Sequence, residues 1–165
     1  MSDESGPFFE SLKCRLVNHS VSFRRLACAY LLLYVDCEPG DDGGVTIWFD
    51  PIWHLVGPAG VLLGSTQAAE ASMLEVEGAM DAVVDPPLAF LTGRVIENIT
   101  IDLLSFDLCV SFEGGYCVKT FVADATVDES WHIRENATGH RLTSSPRGLF
   151  IVRDAGEWGM LTGEC

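Results

Sequence analysis

Short apolar stretches rich in β-branched and aromatic residues recur along most of the chain and predict a protein built mainly of β-strands. The pattern is clearest where Leu108, Val110 and Phe112 alternate with more polar neighbours, as in a strand with one buried face. The pair Gly114–Gly115 then supplies the positive φ that a tight hairpin needs. The segments predicted as strands are 15–23, 26–35, 45–49, 52–56, 94–102, 106–112, 116–122, 130–134 and 148–152.

Proline positions and one periodic segment predict the helices. Pro7 and Pro86 each stand where the missing N–H of proline costs nothing, and they predict helical turns over 7–12 and 86–91. The segment 65–80 places apolar residues at helical spacing, which predicts a connecting helix between the two halves of the chain.

The two halves of the sequence repeat one pattern. Pro7, Phe9, Leu12, Arg15, Leu16 and Val17 recur 79 residues later as Pro86, Leu88, Leu91, Arg94, Val95 and Ile96. Trp53-His54-Leu55 recurs 78 residues later as Trp131-His132-Ile133. We therefore predict an internal duplication with a first copy over 7–65, a connector over 66–85 and a second copy over 86–165.

The length of 165 residues fits one domain with a substantial core. The predicted fold is a single α+β domain over 1–165, predominantly antiparallel β. It consists of two fused copies of a unit in which a helical turn is followed by a four-strand meander.

Composition favours the cytoplasm over the membrane or an export route. The longest apolar stretch, 26–35, is about half the length of a membrane-spanning helix, and the acidic start of the chain is unlike a signal peptide. We therefore interpret the N-x-S/T motifs at Asn18, Asn98 and Asn136 as coincidental, and predict six reduced cysteines. These are Cys14, Cys28, Cys37, Cys109, Cys117 and Cys165.

The charge is strongly negative and unevenly distributed. The formal net charge is −14, and no lysine or arginine occurs between Arg25 and Arg94. Such a field repels nucleic acid and anionic membranes and attracts a basic protein partner, although acidic surfaces also serve solubility alone. The residues predicted to bind the partner are Glu38, Asp41, Asp42, Asp50, Asp81 and Asp85.

Motifs for catalysis are absent from the sequence. Two histidines in the repeated Trp-His pairs, His54 and His132, could meet across a two-fold axis, but two ligands do not make a zinc site. No nucleophile elbow or phosphate-binding glycine loop occurs. The sequence therefore predicts no enzyme, no metal site and no cofactor.

The sequence of both copies resembles that of a group of small acidic bacterial proteins with a duplicated β-meander unit. The resemblance rests on the segments 91–95, 106–115 and 129–133 of the second copy and 50–55 and 57–60 of the first. Such proteins are similar in style to the immunity proteins of bacterial polymorphic toxin systems, and no functional residue carries over.

The resemblance implies a non-enzymatic binding protein, an immunity protein that occludes a basic toxin domain. Two alternatives stay open. The first is an acidic mimic of nucleic acid that inhibits a DNA- or RNA-binding protein. The second is a small hydrolase that uses His54 and His132.

Overall fold

The computed structural model describes residues 4–73, 85–121, 129–145 and 148–153. The helices are α1 (Ser5–Leu16), α2 (Ser65–Met73) and α3 (Asp85–Ala89). The strands are β1 (Val21–Ala27), β2 (Tyr30–Val35), β3 (Val45–Phe49), β4 (Trp53–Gly57), β5 (Gly60–Gly64), β6 (Ile96–Ile101), β7 (Leu108–Phe112), β8 (Tyr116–Thr120), β9 (Trp131–Glu135), β10 (His140–Ser145) and β11 (Gly148–Arg153).

The strands form two antiparallel sheets, and each sheet takes strands from both halves of the chain. The six-stranded sheet has the order β1-β2-β3-β9-β10-β11, and the five-stranded sheet has the order β5-β4-β8-β7-β6. The predicted antiparallel β architecture is confirmed, while the few helices make the α+β description only a loose fit. The predicted four-strand meander is wrong at its fourth strand, because β4 leaves β3 and pairs with β8.

The main core cluster joins the two sheets. Its largest members are Trp53, Trp131, Phe49 and Phe112, none of which is exposed to solvent. Each tryptophan also satisfies its indole N–H: Trp53 Nε1 donates to the carbonyl of Ala29, and Trp131 Nε1 donates to that of Phe106, both at 2.7 Å. Both repeated tryptophans therefore belong to the core.

Several predicted boundaries are wrong for local reasons. The predicted strand over 15–23 begins inside a helix, since α1 continues to Leu16. The predicted strand over 26–35 is a hairpin, because a turn at Cys28, with φ of 54°, separates β1 from β2. A non-glycine residue in the left-handed region carries no sequence signal for a turn.

Other predicted elements agree with the structure. Gly114 and Gly115 have φ of 86° and 78° in the hairpin between β7 and β8. The connecting helix is confirmed as α2 up to Met73, and the remainder of its predicted range lies outside the described residues. Both β5 and β10 were missed, since β5 begins and ends with glycine and β10 is mostly polar.

The cysteine prediction is confirmed in part. Cys14, Cys37, Cys109 and Cys117 are free, including the two cysteines of the β7–β8 hairpin. The prediction is wrong at Cys28, which is disulfide-bonded, and Cys165 lies outside the described residues. That prediction rested on an expected reducing compartment, which carries no information on an individual cysteine at the tip of a hairpin.

Candidate functional site: the outer face of the six-stranded sheet

One face of the six-stranded sheet points away from the core, and we call it the outer face. Residues paired in register project to the same side of a sheet. One row on this face consists of Leu32, Trp48 and His132, and the next consists of Tyr34, Thr46 and Arg134. The alternate residues, such as Ile47 and Ile133, are fully buried in the core.

Aromatic side chains dominate part of the outer face. Trp48 stacks on the His132 ring with centroids 5.2 Å apart, and Tyr30 packs against Trp48 at 6.0 Å. Phe23 meets Tyr34 edge-on at 5.8 Å. Tyr30 and Phe23 are each 40% exposed, so the rings present apolar area to solvent.

A pocket with a volume of about 270 Å³ opens between this face and the loop over 36–44. The sheet contributes Leu32, Tyr34, Thr46, Trp48, His132, Arg134 and Asn136, and the loop contributes Gly40, Asp41 and Asp42. Apolar rings, carboxylates and a guanidinium therefore line one concave surface.

The loop is held in place by hydrogen bonds and by one glycine. Asp41 Oδ2 accepts a hydrogen bond from the backbone N–H of Glu38 at 2.8 Å. Asn136 Nδ2 donates to the carbonyl of Gly43 at 2.9 Å. Gly44 has φ of 71°, and a Cβ there would collide with the Val35 carbonyl. The exposed carboxylates are thus presented on an ordered loop.

A cluster of three potential ligands, which we call the polar cluster, lies beside Trp48. It consists of Asp50, Glu129 and His132, with one ligand atom of each within 4.8 Å of the others. Asp50 directly follows β3, and its backbone N–H donates to the Ser130 carbonyl at 3.1 Å. This bond extends the pairing of β3 with β9, so the backbone itself brings the three side chains together.

Neighbouring groups orient the carboxylates of the polar cluster. Trp48 Nε1 donates to Asp50 Oδ1 at 2.7 Å, and Arg141 lies 3.6 Å from Glu129 Oε1. Glu129 Oε2 faces His132 Nδ1 at 3.9 Å. The Nδ1 atom is buried and has no hydrogen-bond partner among the described residues.

Burial shifts the pKa of two members in opposite directions. Burial raises the pKa of the Asp50 carboxyl to about 6, and the hydrogen bond from Trp48 opposes this shift. Burial lowers the pKa of the His132 imidazole to about 3, and the guanidinium groups of Arg141 and Arg134 lower it further. At neutral pH Asp50 is therefore mostly ionised and His132 is neutral.

These shifts predict opposing effects of pH on stability. The pKa of Asp50 is higher in the folded protein than its ordinary 3.8, so its contribution to the free energy of unfolding falls as pH rises from about 4 to about 6. The pKa of His132 is lower than its ordinary 6.5, so its contribution falls as pH drops from about 6.5 towards 3. In the wild type the two slopes partly cancel.

Asp50→Asn removes the pH dependence of stability that comes from the Asp50 carboxyl and leaves the one that comes from His132. We expect this variant to gain stability relative to the wild type by an amount on the order of 1–3 kcal/mol between pH 4 and pH 7.5. His132→Gln should instead lose less stability on acidification than the wild type. Urea unfolding at several pH values, in buffer with a chelator, measures both; an Asp50→Asn curve parallel to the wild type would contradict the burial of this carboxylate.

The structure brings only some of the predicted partner-binding residues together. Glu38, Asp41 and Asp42 are exposed on the loop at the rim of the outer face. Asp50 stands apart from them, partly buried in the polar cluster. Asp85 begins α3, with a side chain that is not described, and Asp81 lies outside the described residues.

The two histidines of the repeated Trp-His pairs lie in different sheets. His54 is on β4 of the five-stranded sheet and packs against Phe121, with ring centroids 4.8 Å apart. His132 is on β9 of the six-stranded sheet, beside Asp50 and Glu129. The prediction that no metal-ligating group is present did not anticipate this arrangement, because it depends on the pairing of β3 with β9.

Comparison of the chain with protein-family models, curated proteins and solved structures gave no match. Among the described residues, none of the helices combines the length and apolar character needed to cross a membrane.

Proposed function

We propose that this chain is a non-enzymatic binding protein that captures a basic protein on the outer face of its six-stranded sheet. The observation that carries the proposal is a pair of partly exposed rings, Tyr30 and Phe23, on a face bordered by an ordered acidic loop. The partner class that fits best is a basic toxin domain, which would make this chain an inhibitor of the immunity-protein type.

The aromatic part of the face has the composition of a binding hot spot. Tryptophan, tyrosine and arginine carry a disproportionate share of the energy at protein interfaces. Trp48, Tyr30 and Arg134 lie on this face, and the first two are in ring contact. Leu32 and Tyr34 form an apolar cluster beside them that is separate from the main core.

The charge of the loop at the rim supports a basic partner, whereas the strands of the face also carry Arg134 and Arg141. The loop presents Glu38, Asp41 and Asp42 to solvent, and no lysine or arginine occurs in the sequence between Arg25 and Arg94. Charges at the rim of an interface mainly accelerate encounter, while the desolvated centre slows dissociation. The loop therefore steers the partner and the aromatic surface holds it.

Charge reversal at the rim should slow association. Asp41 maintains the loop through its bond to Glu38, so the variant to make is Glu38→Lys with Asp42→Lys, which leaves Asp41 intact. We expect the association rate with the partner to fall by roughly tenfold at low salt, with little change in dissociation rate or melting temperature.

A matched control reverses two acids away from this loop, Glu97→Lys and Glu113→Lys, both exposed in the five-stranded sheet and its hairpin. Association kinetics at several salt concentrations compare the two variants. Equal slowing by both would show that overall charge steers the encounter rather than the loop.

We also propose that the chain is a duplication in which the copies exchange strands. The order β1-β2-β3-β9-β10 in one sheet corresponds to β6-β7-β8-β4-β5 in the other. The pairings β1–β2 and β6–β7 each contain a register shift near the start of the first strand. Ser20 and Val95, which precede β1 and β6, form an antiparallel bridge.

The two tryptophans support the same proposal. Trp53 and Trp131 begin β4 and β9 and are equally buried. Each donates its indole N–H to a carbonyl that precedes the second strand of its own half. With strands exchanged in this way, neither copy could close its core alone.

A further inference from the structure

We propose that Asp50, Glu129 and His132 form a binding site for a divalent transition-metal ion, with Zn²⁺ as the best fit. The site is separate from the proposed binding function and does not depend on it. Asp50 directly follows β3, and His132 is the second residue of β9, the strand that pairs with β3. Glu129 lies two positions before β9.

The first argument is the state of His132. Its side chain is 91% buried, since only 9% is exposed, and Nδ1 has no hydrogen-bond partner among the described residues. A buried polar atom without a partner is costly, and a metal ion would satisfy it. With the proton on Nε2, the Nδ1 lone pair is available to a metal ion.

The second argument is distance. Zn²⁺ binds nitrogen and carboxylate oxygen at about 2 Å, so two ligands in tetrahedral geometry lie about 3.3 Å apart. His132 Nδ1 and Glu129 Oε2 are 3.9 Å apart, and one atom of each of the three residues lies within 4.8 Å of the others. Small side-chain rotations suffice to close the site.

The third argument is the surrounding shell of neighbours. Trp48 donates a hydrogen bond to Asp50 Oδ1, which leaves the second oxygen for a metal ion. Arg141 lies near Glu129 Oε1 and leaves Oε2 towards His132. In metal sites, such contacts from neighbouring residues fix the orientation of the side chains that bind the metal. Stacking on Trp48 also fixes the plane of the imidazole.

The donor set favours zinc over the hard cations. A nitrogen and two carboxylates are common zinc ligands, whereas Ca²⁺ and Mg²⁺ prefer oxygen donors alone. The two carboxylates lie near the guanidinium groups of Arg141 and Arg134, so the cluster is close to neutral and a dication would be held by direct ligation rather than by a net negative charge. Three protein ligands leave one position for water or for a group of a bound partner.

Zinc titration of the full chain tests the site. After removal of metals with a chelator, calorimetry should show one equivalent of Zn²⁺ bound to the wild type. Glu129→Gln, Asp50→Asn and His132→Gln should each weaken binding by roughly 100-fold, since loss of an outer contact alone costs 10- to 100-fold. Glu113→Gln, an exposed acid in the turn between β7 and β8, is the matched control and should bind as the wild type does.

Cobalt substitution separates this site from the free thiols. Co²⁺ at the polar cluster should show visible absorption without a thiolate charge-transfer band, and that visible absorption should be lost in Glu129→Gln. The Glu129 side chain is 36% exposed, so this variant should fold. Absence of binding, binding unchanged in Glu129→Gln, or a thiolate band would each overturn the proposal.

Discussion

Trp131→Ala is expected to lower the free energy of unfolding by about 3–5 kcal/mol, as truncation of large core aromatics does. The side chain is not exposed at all, and its indole N–H donates to the Phe106 carbonyl, which would be left without that donor. In a protein of this size the loss corresponds to a fall in melting temperature of roughly 6–20 °C.

Trp53→Ala should have an effect of the same size. Its side chain is equally buried and donates to the Ala29 carbonyl at the same distance. Two similar losses are what the proposed duplication predicts, because the two residues then occupy equivalent positions.

Leu104→Ala is the matched control for these truncations. Leu104 is 94% exposed, so its removal should change stability by no more than about 0.5 kcal/mol. Thermal and urea unfolding measure the change in the free energy of unfolding for each of the three variants. If Trp53→Ala or Trp131→Ala behaved like Leu104→Ala, the account of the core would be wrong.

The sequence predicted the kind of structure well, because strand formation is a local property. Enrichment in β-branched and aromatic residues gave β3 its correct bounds, Val45–Phe49, and glycine chemistry gave the hairpin at Gly114. It failed at Cys28, where a turn forms without a turn residue. Local patterns carry no information where tertiary contacts impose the conformation.

Sheet assignment could not be predicted from the sequence. β4 pairs with β8 and not with β3, which precedes it in the chain. The strands have similar hydrophobic patterns, so periodicity does not indicate which of them are neighbours. The polar cluster could not be predicted for the same reason. Asp50 and Glu129 are far apart in sequence and meet only through the pairing of β3 with β9.

The outer face was only partly predictable. The acidic loop was visible as a run of carboxylates without nearby basic residues. Trp48 was not singled out, although its position between the apolar residues Ile47 and Phe49 places it on the opposite side of the strand. The sequence marks Asn136 only as part of an N-x-S/T motif, yet its side chain fixes the loop through a hydrogen bond to the Gly43 carbonyl.

Removal of the aromatic surface should weaken partner binding more than any rim variant. Trp48→Ala and Tyr30→Ala each delete a ring from the outer face while leaving the main core intact, because neither belongs to it. Truncation of a hot-spot residue costs about 2 kcal/mol or more, which corresponds to a loss of affinity of roughly 30-fold. The loss should appear mainly as faster dissociation.

Tyr30→Ala is the more informative of the two variants. Trp48 also donates a hydrogen bond to Asp50, so its removal affects the polar cluster. The Tyr30 ring packs against Trp48 and is not a member of that cluster. Phe121→Ala is the matched control, since Phe121 is 42% exposed, close to the 40% of Tyr30, but follows β8 of the five-stranded sheet.

The most direct test measures binding of these variants to the protein encoded in the neighbouring reading frame, where the gene for a cognate toxin would lie. Surface plasmon resonance should show tight binding by the wild type and by Phe121→Ala, and roughly 30-fold weaker binding by Tyr30→Ala. Wild-type affinity in both Tyr30→Ala and Trp48→Ala, with a loss confined to Phe121→Ala, would contradict the assignment of the binding face. A neighbouring protein that does not bind the wild type at all would contradict the proposed immunity role.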